Sequence, residues 1–205
     1  MFGINVFDNM DEIRQILGVC PQHDVLFRNL TPEEHLRIYA AFKGSKPEEI
    51  DQQVNQMLLD IDLIDQKDQQ ARTLSGGQKR KLSVAISMIG NSKIVMLDEP
   101  TSGMDTTARR RLWDMLKKNK GEKIVILTTH YMDEADILGD RIAIMSEGDV
   151  QCTGSSLFLK KRYGVGYNLV IAKKVRDPLP EVDKFIIERL PDALKLQEVS
   201  SEMSY

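Results

Sequence analysis

The sequence predicts a layered α/β domain with a mostly parallel sheet at its core, a helical subdomain and a short C-terminal α+β extension. Three observations predict it. Short runs rich in Val and Ile alternate with amphipathic helical patterns. Two of those runs, KIVML at 93–97 and KIVIL at 123–127, are apolar without interruption, as in parallel strands covered on both faces. Between them TTARRRLWDMLKKN reads as a helix with Asp105 as its N-cap, which completes a strand–helix–strand unit.

The remaining elements follow in chain order. ILGVC at 16–20 is a short strand. TPEEHLRIYAAFKG has Thr31 as N-cap, Pro32 at the first helical position, Glu34 three residues after the cap and Gly44 at its close, so cap chemistry delimits a helix. PEEIDQQVNQMLLDIDL places Ile50, Val54, Met57, Leu58 and Ile61 on one helical stripe. KRKLSVAISMI continues the helical pattern, and the helical subdomain spans about 28–92. RIAIMSEGDVQCTG turns at Gly148 and reads as a hairpin at the sheet edge. SSLFLKKRYG is helical and YNLVIAKK strand-like. VRDPLP, with two prolines in three positions, precedes a helical EVDKFIIERL and marks a soft boundary. The expected division is 1–165 for the main domain and 166–205 for the extension.

Composition narrows the function classes. At 205 residues and 41% hydrophobic content the chain can bury one core with a small appendage, and it reads as soluble and globular. A formal charge of −3 and a pI near 5.7 give no footprint for nucleic acid. Cys20 and Cys152 form neither a CxxC nor a Cys/His ligand spacing, which points away from a disulfide framework or zinc and fits a reducing cytosolic setting. MFGINVFDNMDEIRQ has no basic segment followed by an apolar one, and no window approaches the ~18 apolar residues of a membrane span.

The chemistry concentrates between Thr73 and Asp105. Ser75-Gly76-Gly77-Gln78 opens a helix, where free N–H groups and the helix dipole attract an anion and two glycines permit close backbone approach. Ser75 can add a hydroxyl donor; an ordinary Gly-Gly turn with a Ser cap fits the same residues. The run IVML ends in Asp98-Glu99-Pro100, a carboxylate pair at the C-terminal end of a parallel strand, where α/β sheets place their ligands. One acid can hold Mg²⁺ while its neighbour faces a water. His130 ends the run KIVILTTH and Gln22 follows ILGVC, so both belong at the same sheet edge. Solvated acids, a structural histidine and a loop glutamine are the plain alternatives.

Taken together, "VCPQ", "LSGGQ", "IVMLDEP", "SGMD" and "LTTH" resemble the Q-loop, signature, Walker B, D-loop and H-loop of ABC ATPases, in the family's order and spacing. The flanking text is similar to the A subfamily, whose full-length members move lipids. This resemblance implies a P-loop NTPase-like fold, ATP and Mg²⁺ as ligands, and ATP hydrolysis coupled to transport. Asp98 and Gln22 are implied as metal contacts, Glu99 as general base and His130 as the γ-phosphate contact. Ser75, Gly76, Gly77 and Gln78 are implied to clasp a nucleotide held by the opposite domain of a head-to-tail dimer, with Asp105 at the seam. The partners implied are a second nucleotide-binding domain, transmembrane domains and, through them, a lipid substrate, at the cytoplasmic face of a membrane.

One motif of the family is missing: no GxxxxGK[ST] occurs, and AFKGSKPEE lacks its spacing. MFGINVFDNM resembles the strand that follows that loop and its helix, so the chain is expected to begin partway into the domain, to bind ATP weakly and to turn it over negligibly. A non-catalytic module that lends only its signature clasp to a complete partner is the alternative. The absence of a coiled coil or tandem repeat disfavours a soluble ABC ATPase of DNA repair or translation. The tail reads as the start of a β-α-β regulatory domain, with YNLVIAKK, EVDKFIIERL and KLQEVSSEMSY as its first three elements and a further strand expected after EMSY.

Overall fold

The computed structural model describes residues 1–5, 7–164, 166, 168–173, 180–199 and 202–205. The chain divides into two compact units, Met1–Ser156 and Leu157–Tyr205.

The first unit is built on a three-stranded parallel sheet of β1 (Leu17–Cys20), β2 (Ile94–Asp98) and β3 (Ile124–Thr128), in that order. Between β1 and β2 lie α2 (Pro32–Phe42), α3 (Pro47–Asp60) and α4 (Gly76–Met88); α5 (Thr106–Lys120) connects β2 to β3. Local chemistry sets the helix starts. Thr31 and Glu34 form a reciprocal capping box on α2, with Pro32 in the first turn. Ser75 and Gln78 repeat that arrangement on α4. Asp105 accepts the N–H groups of Thr107 and Ala108, both at 2.9 Å, to cap α5.

The core lies on one side of the sheet. Cys20, Val95 and Leu97 pack with Leu36, Leu58, Leu82, Val84, Ala85, Leu112 and Met115. α4 crosses β1 so closely that a Cβ on Gly18 would meet the carbonyl oxygen of Ser87 at 1.8 Å. The apolar strands are not covered on both faces as expected. Val19, Met96 and Ile126, in register across the three strands, are 52%, 39% and 48% exposed. The helices that follow β1 and β2 pack on the Gly18/Val95/Val125 side, leaving Val19, Met96, Ile124 and Ile126 of the other face in solvent while Ile94 on that face is buried.

Two further expectations are corrected in this unit. Residues 1–5 and 7–9 form no strand: Phe2 and Gly3 have φ of 46° and 79°, and the N–H of Phe7 donates to Asn5 Oδ1 at 3.1 Å, a side-chain turn that competes with extension. A helix, α1 (Met10–Ile16), follows and buries Ile13. The hairpin forms, but as its own two-stranded sheet of β4 (Ile142–Ser146) and β5 (Asp149–Gly154), after α6 (Met132–Leu138), rather than at the edge of the parallel sheet. Glu147 and Gly148 have φ of 54° and 86°, the backbone a two-residue hairpin turn requires, and each strand satisfies the other's ladder.

The second unit holds most of α7 (Ser156–Tyr163), then β6 (Val170–Ala172), α8 (Pro180–Arg189), β7 (Gln197–Val199) and β8 (Glu202–Ser204). Its sheet is antiparallel with order β6-β8-β7. KLQEVSSEMSY thus supplies two strands where one element was expected, and the EMSY segment is itself the central strand, because its backbone finds partners on both sides. The boundary segment 174–179 lies outside the described residues. No helix of the described residues is long and apolar enough to cross a membrane.

Candidate functional site

The parallel register brings Cys20, Leu97 and Asp98, and Thr128 to one edge of the sheet, so the segments leaving β1, β2 and β3 share that edge. At the end of β2, Asp98 accepts a hydrogen bond from Thr128 Oγ1 across the strand pair. Glu99 turns the chain sharply with φ of 46°, and its N–H donates to the Thr128 carbonyl at 3.0 Å. Its side chain reaches His130, whose Nδ1 lies 3.0 Å from Glu99 Oε1. A carboxylate only accepts, so the proton of this bond sits on Nδ1 and leaves Nε2 to face solvent. The imidazole packs on Tyr131 at a ring distance of 4.1 Å, and Arg109 lies 3.9 Å from the centre of the Tyr131 ring.

Gln22 joins this group through its backbone. Arg80, on α4 and only 4% exposed, donates from Nη1 to the Pro21 and Gln22 carbonyls at 2.7 and 3.0 Å. From Nη2 it donates to the Asp98 and Glu99 carbonyls at 2.6 and 2.9 Å. One guanidinium therefore holds the loop after β1 and the turn after β2. Cys20, beside it, has its thiol pushed up to about 11, chiefly by burial and against the lowering effect of Arg80. It is a packed thiol, not a nucleophile.

Ser75, Gly76, Gly77 and Gln78 sit at the start of α4, one turn before Arg80, with Ser75 and Gly76 exposed. A Cβ on Gly76 or Gly77 would meet nothing within 4 Å, so the backbone there is open to a ligand. Among the described residues, none of these four is hydrogen-bonded to Asp98, Glu99 or His130; they form a separate surface on the same helix. Asp105 is exposed, and its carboxylate is held low by the N–H groups of Ala108 and then Thr107.

Three contributors escaped the sequence reading. Thr128 orients Asp98 and carries no motif signal. Glu134, fully buried on α6, accepts the indole N–H of Trp113 on α5 at 2.9 Å, which ties the segment after His130 to the core. Arg80 carried no periodic signal either, because α4 buries every residue from Leu82 to Met88 rather than one stripe.

Glu99 and His130 thus meet at the carboxyl edge of the parallel sheet, and the helix with the open N-terminus is bound to that edge through Arg80. The ABC transporter family model matches residues 3–102. The phospholipid-transporting ATPase ABCA3 of Rattus norvegicus is 47% identical over 203 residues, covering 99% of this chain and 12% of that protein. ATP-binding cassette sub-family A member 2 of Homo sapiens is 43% identical over 227 residues, covering all of this chain and 9% of that protein. ABC transporter A family member 2 of Dictyostelium discoideum is 45% identical over 207 residues, with 99% and 13% covered. The chain thus spans 9% to 13% of the length of these relatives. Among solved structures, an ATP binding subunit of an ABC transporter superposes with a TM-score of 0.71 at 24% identity, covering 80% of this chain and 69% of that one. A dimeric post-hydrolysis state of the ATP-binding cassette MJ0796 bound to ADP and Pi does so with a TM-score of 0.64 at 24% identity, covering 75% and 68%. Over residues 3–102 the chain thus matches the ABC transporter family model, and over nearly its whole length it is similar to A-subfamily members.

Proposed function

We propose that this chain serves as an ATP-binding and ATP-hydrolysing domain that powers lipid movement in an A-subfamily transporter. The single observation carrying the reading is the Glu99–His130 pair at 3.0 Å beside Asp98, at the carboxyl edge of the sheet. In this reading Glu99 takes a proton from the attacking water, and His130, oriented by Glu99 through Nδ1, presents Nε2 to the γ-phosphate. Asp98, braced by Thr128, and Gln22 would hold Mg²⁺. Their oxygen donors suit that ion, which takes one or two protein ligands and completes its shell with phosphate and water. When bound, the ion would neutralise developing charge on the phosphates.

Ser75, Gly76, Gly77 and Gln78 would clasp the nucleotide of a second, head-to-tail nucleotide-binding domain, with Asp105 at the seam. The dimeric state of MJ0796 and the open helix start support this. Transmembrane domains of the same transporter would place the chain at the cytoplasmic face of a membrane, and a lipid would be moved through them. The phospholipid-transporting relative supports that substrate class. Residues 166–205 would begin a C-terminal regulatory domain.

The sequence lacks GxxxxGK[ST], the loop whose backbone and lysine cradle the phosphates. The purified 205-residue chain should therefore show no ATP affinity tighter than about 1 mM by isothermal titration. In the full-length protein, Glu99→Gln should leave ATP bound and lower turnover at least about 100-fold. Micromolar binding by the isolated chain, or full turnover by the Glu99→Gln transporter, would contradict the respective parts of this reading.

A further inference from the structure

We propose that Arg80 is a positioning residue: it holds the backbone of Glu99 so that the carboxylate meets His130, and locks the Gln22 loop to the same turn. The catalytic consequence rests on the role given to Glu99 above; the positioning itself does not.

Consecutive carbonyls in an extended strand point to opposite sides, so three of them cannot ordinarily face one donor. Here the carbonyls of Asp98, Glu99 and Pro100 all receive Arg80, from Nη2 at 2.6 and 2.9 Å and from Nε at 3.0 Å. They converge because Glu99 adopts the left-handed conformation, φ 46°, which a residue with a side chain avoids at a cost of about 1 kcal/mol or more. Other hydrogen bonds to this turn, from Glu99 N–H to the Thr128 carbonyl and Oγ1 and from Ser102 N–H to the Glu99 carbonyl, hold its ends without gathering the three carbonyls. The guanidinium is the element that gathers them.

The charge of Arg80 is nearly sealed from water, and the nearest carboxylate, Asp24, is 3.4 Å from Nη1. Carbonyl dipoles from two loops take the place of solvent around it. That arrangement needs the planar fork of arginine, because an ammonium of similar charge offers three donors from one point and cannot span both loops. A side chain that only filled the core would require neither the fork nor five carbonyls. Arg80 also lies one turn from Gly76, so the helix that begins with the signature residues is the helix that sets Glu99.

The geometry is read through the His130 tautomer, which the Glu99 contact fixes as Nδ1–H. Long-range ¹H–¹⁵N NMR of the 205-residue chain at about pH 8 reports it without any turnover. The unsubstituted chain should show predominantly Nδ1–H, and Glu99→Ala should abolish that preference. Arg80→Lys should abolish it equally while the chain still unfolds cooperatively and far-UV circular dichroism is unchanged. A folded Arg80→Lys chain that keeps the Nδ1–H form would overturn the proposal and leave the role of Glu99 standing; a Glu99→Ala chain that keeps it would overturn the Glu99–His130 contact on which both depend. If Arg80→Lys does not fold, the guanidinium of the unsubstituted chain decides. Its Nε–H should exchange with solvent at least about 100-fold more slowly than that of an exposed arginine, and free exchange would refute the held fork.

Discussion

His35 has no exposed surface, and both its ring nitrogens are committed: Nδ1 donates to the Thr31 carbonyl at 2.8 Å, and Nε2 accepts the N–H of Phe27 at 2.9 Å. Only the neutral ring can do both, because a protonated imidazole would turn a donor toward the Phe27 N–H. Burial lowers the proton affinity of His35 below the ordinary value of 6.5, against the opposing pull of the Thr31 carbonyl and Glu34. The unfolded chain takes up this proton near 6.5 and the folded chain resists it, so the stability contribution is complete above that value. It is lost as pH falls below it. Urea midpoints measured between about pH 7.5 and pH 5 should therefore decline on acidification, and His35→Gln should flatten that decline while costing about 1–2 kcal/mol at the upper end. An identical slope in both chains would remove His35 as the cause. Since His35 anchors Phe27, the residue links folding stability to the stretch that follows Gln22.

The strand–helix contact at Gly18 decides whether α4 can deliver Arg80 at all. An added methyl would lie 1.8 Å from the Ser87 carbonyl oxygen, which is backbone and cannot rotate away. Gly18→Ala should push β1 and α4 apart and cost about 3 kcal/mol in chemical denaturation. Gly76→Ala, with open space around it, should change stability by less than about 1 kcal/mol; comparable losses in the two variants would sink the close-approach argument. This contrast also explains what could be read from the chain. Thr31, Pro32 and Glu34 act within four residues, as do Ser75 with Gln78 and Asp105 with Ala108, so these helix starts were legible. The shared edge of Asp98, Glu99, His130 and Gln22 was legible because parallel strands carry their ends in one direction. The contact between Glu99 and His130 and the gathering by Arg80 were not, since they join segments 31 and roughly 20 to 60 residues apart. Nor could the uncovered face of Val19, Met96 and Ile126 be read: an apolar run permits burial on both sides without supplying a second layer.

At the scale of the whole molecule, the two units differ in how their cores are made. The first gathers residues from every helix between α2 and α5. The second rests on Ile186, Met203 and Tyr205, flanked by Ile171, Val182 and Ala193. So small a core leaves little surplus over chain entropy. The unit also carries charges: Lys195 bridges Asp183 at 2.7 Å and Glu198 at 2.6 Å, and Lys173 reaches Glu198 at 2.9 Å. Hydrogen bonds from Lys195 first, then Tyr205, hold Asp183 below its usual range, and Lys195 is raised in turn. The Lys195 pairs keep contact with solvent and gain little, because water screens them and the long lysine side chain must be held still, whereas the Lys173 side chain is almost fully buried. Apolar burial should therefore outweigh the network. Met203, with no exposed surface on the central strand β8, is its keystone, and Met203→Ala should cost about 2–4 kcal/mol, enough to open the unit. Hydrogen exchange would show it as lost protection of the Val170–Ala172 amides, with Lys195→Ala leaving that protection in place. If Lys195→Ala opens the strand and Met203→Ala does not, charge rather than packing holds the unit together.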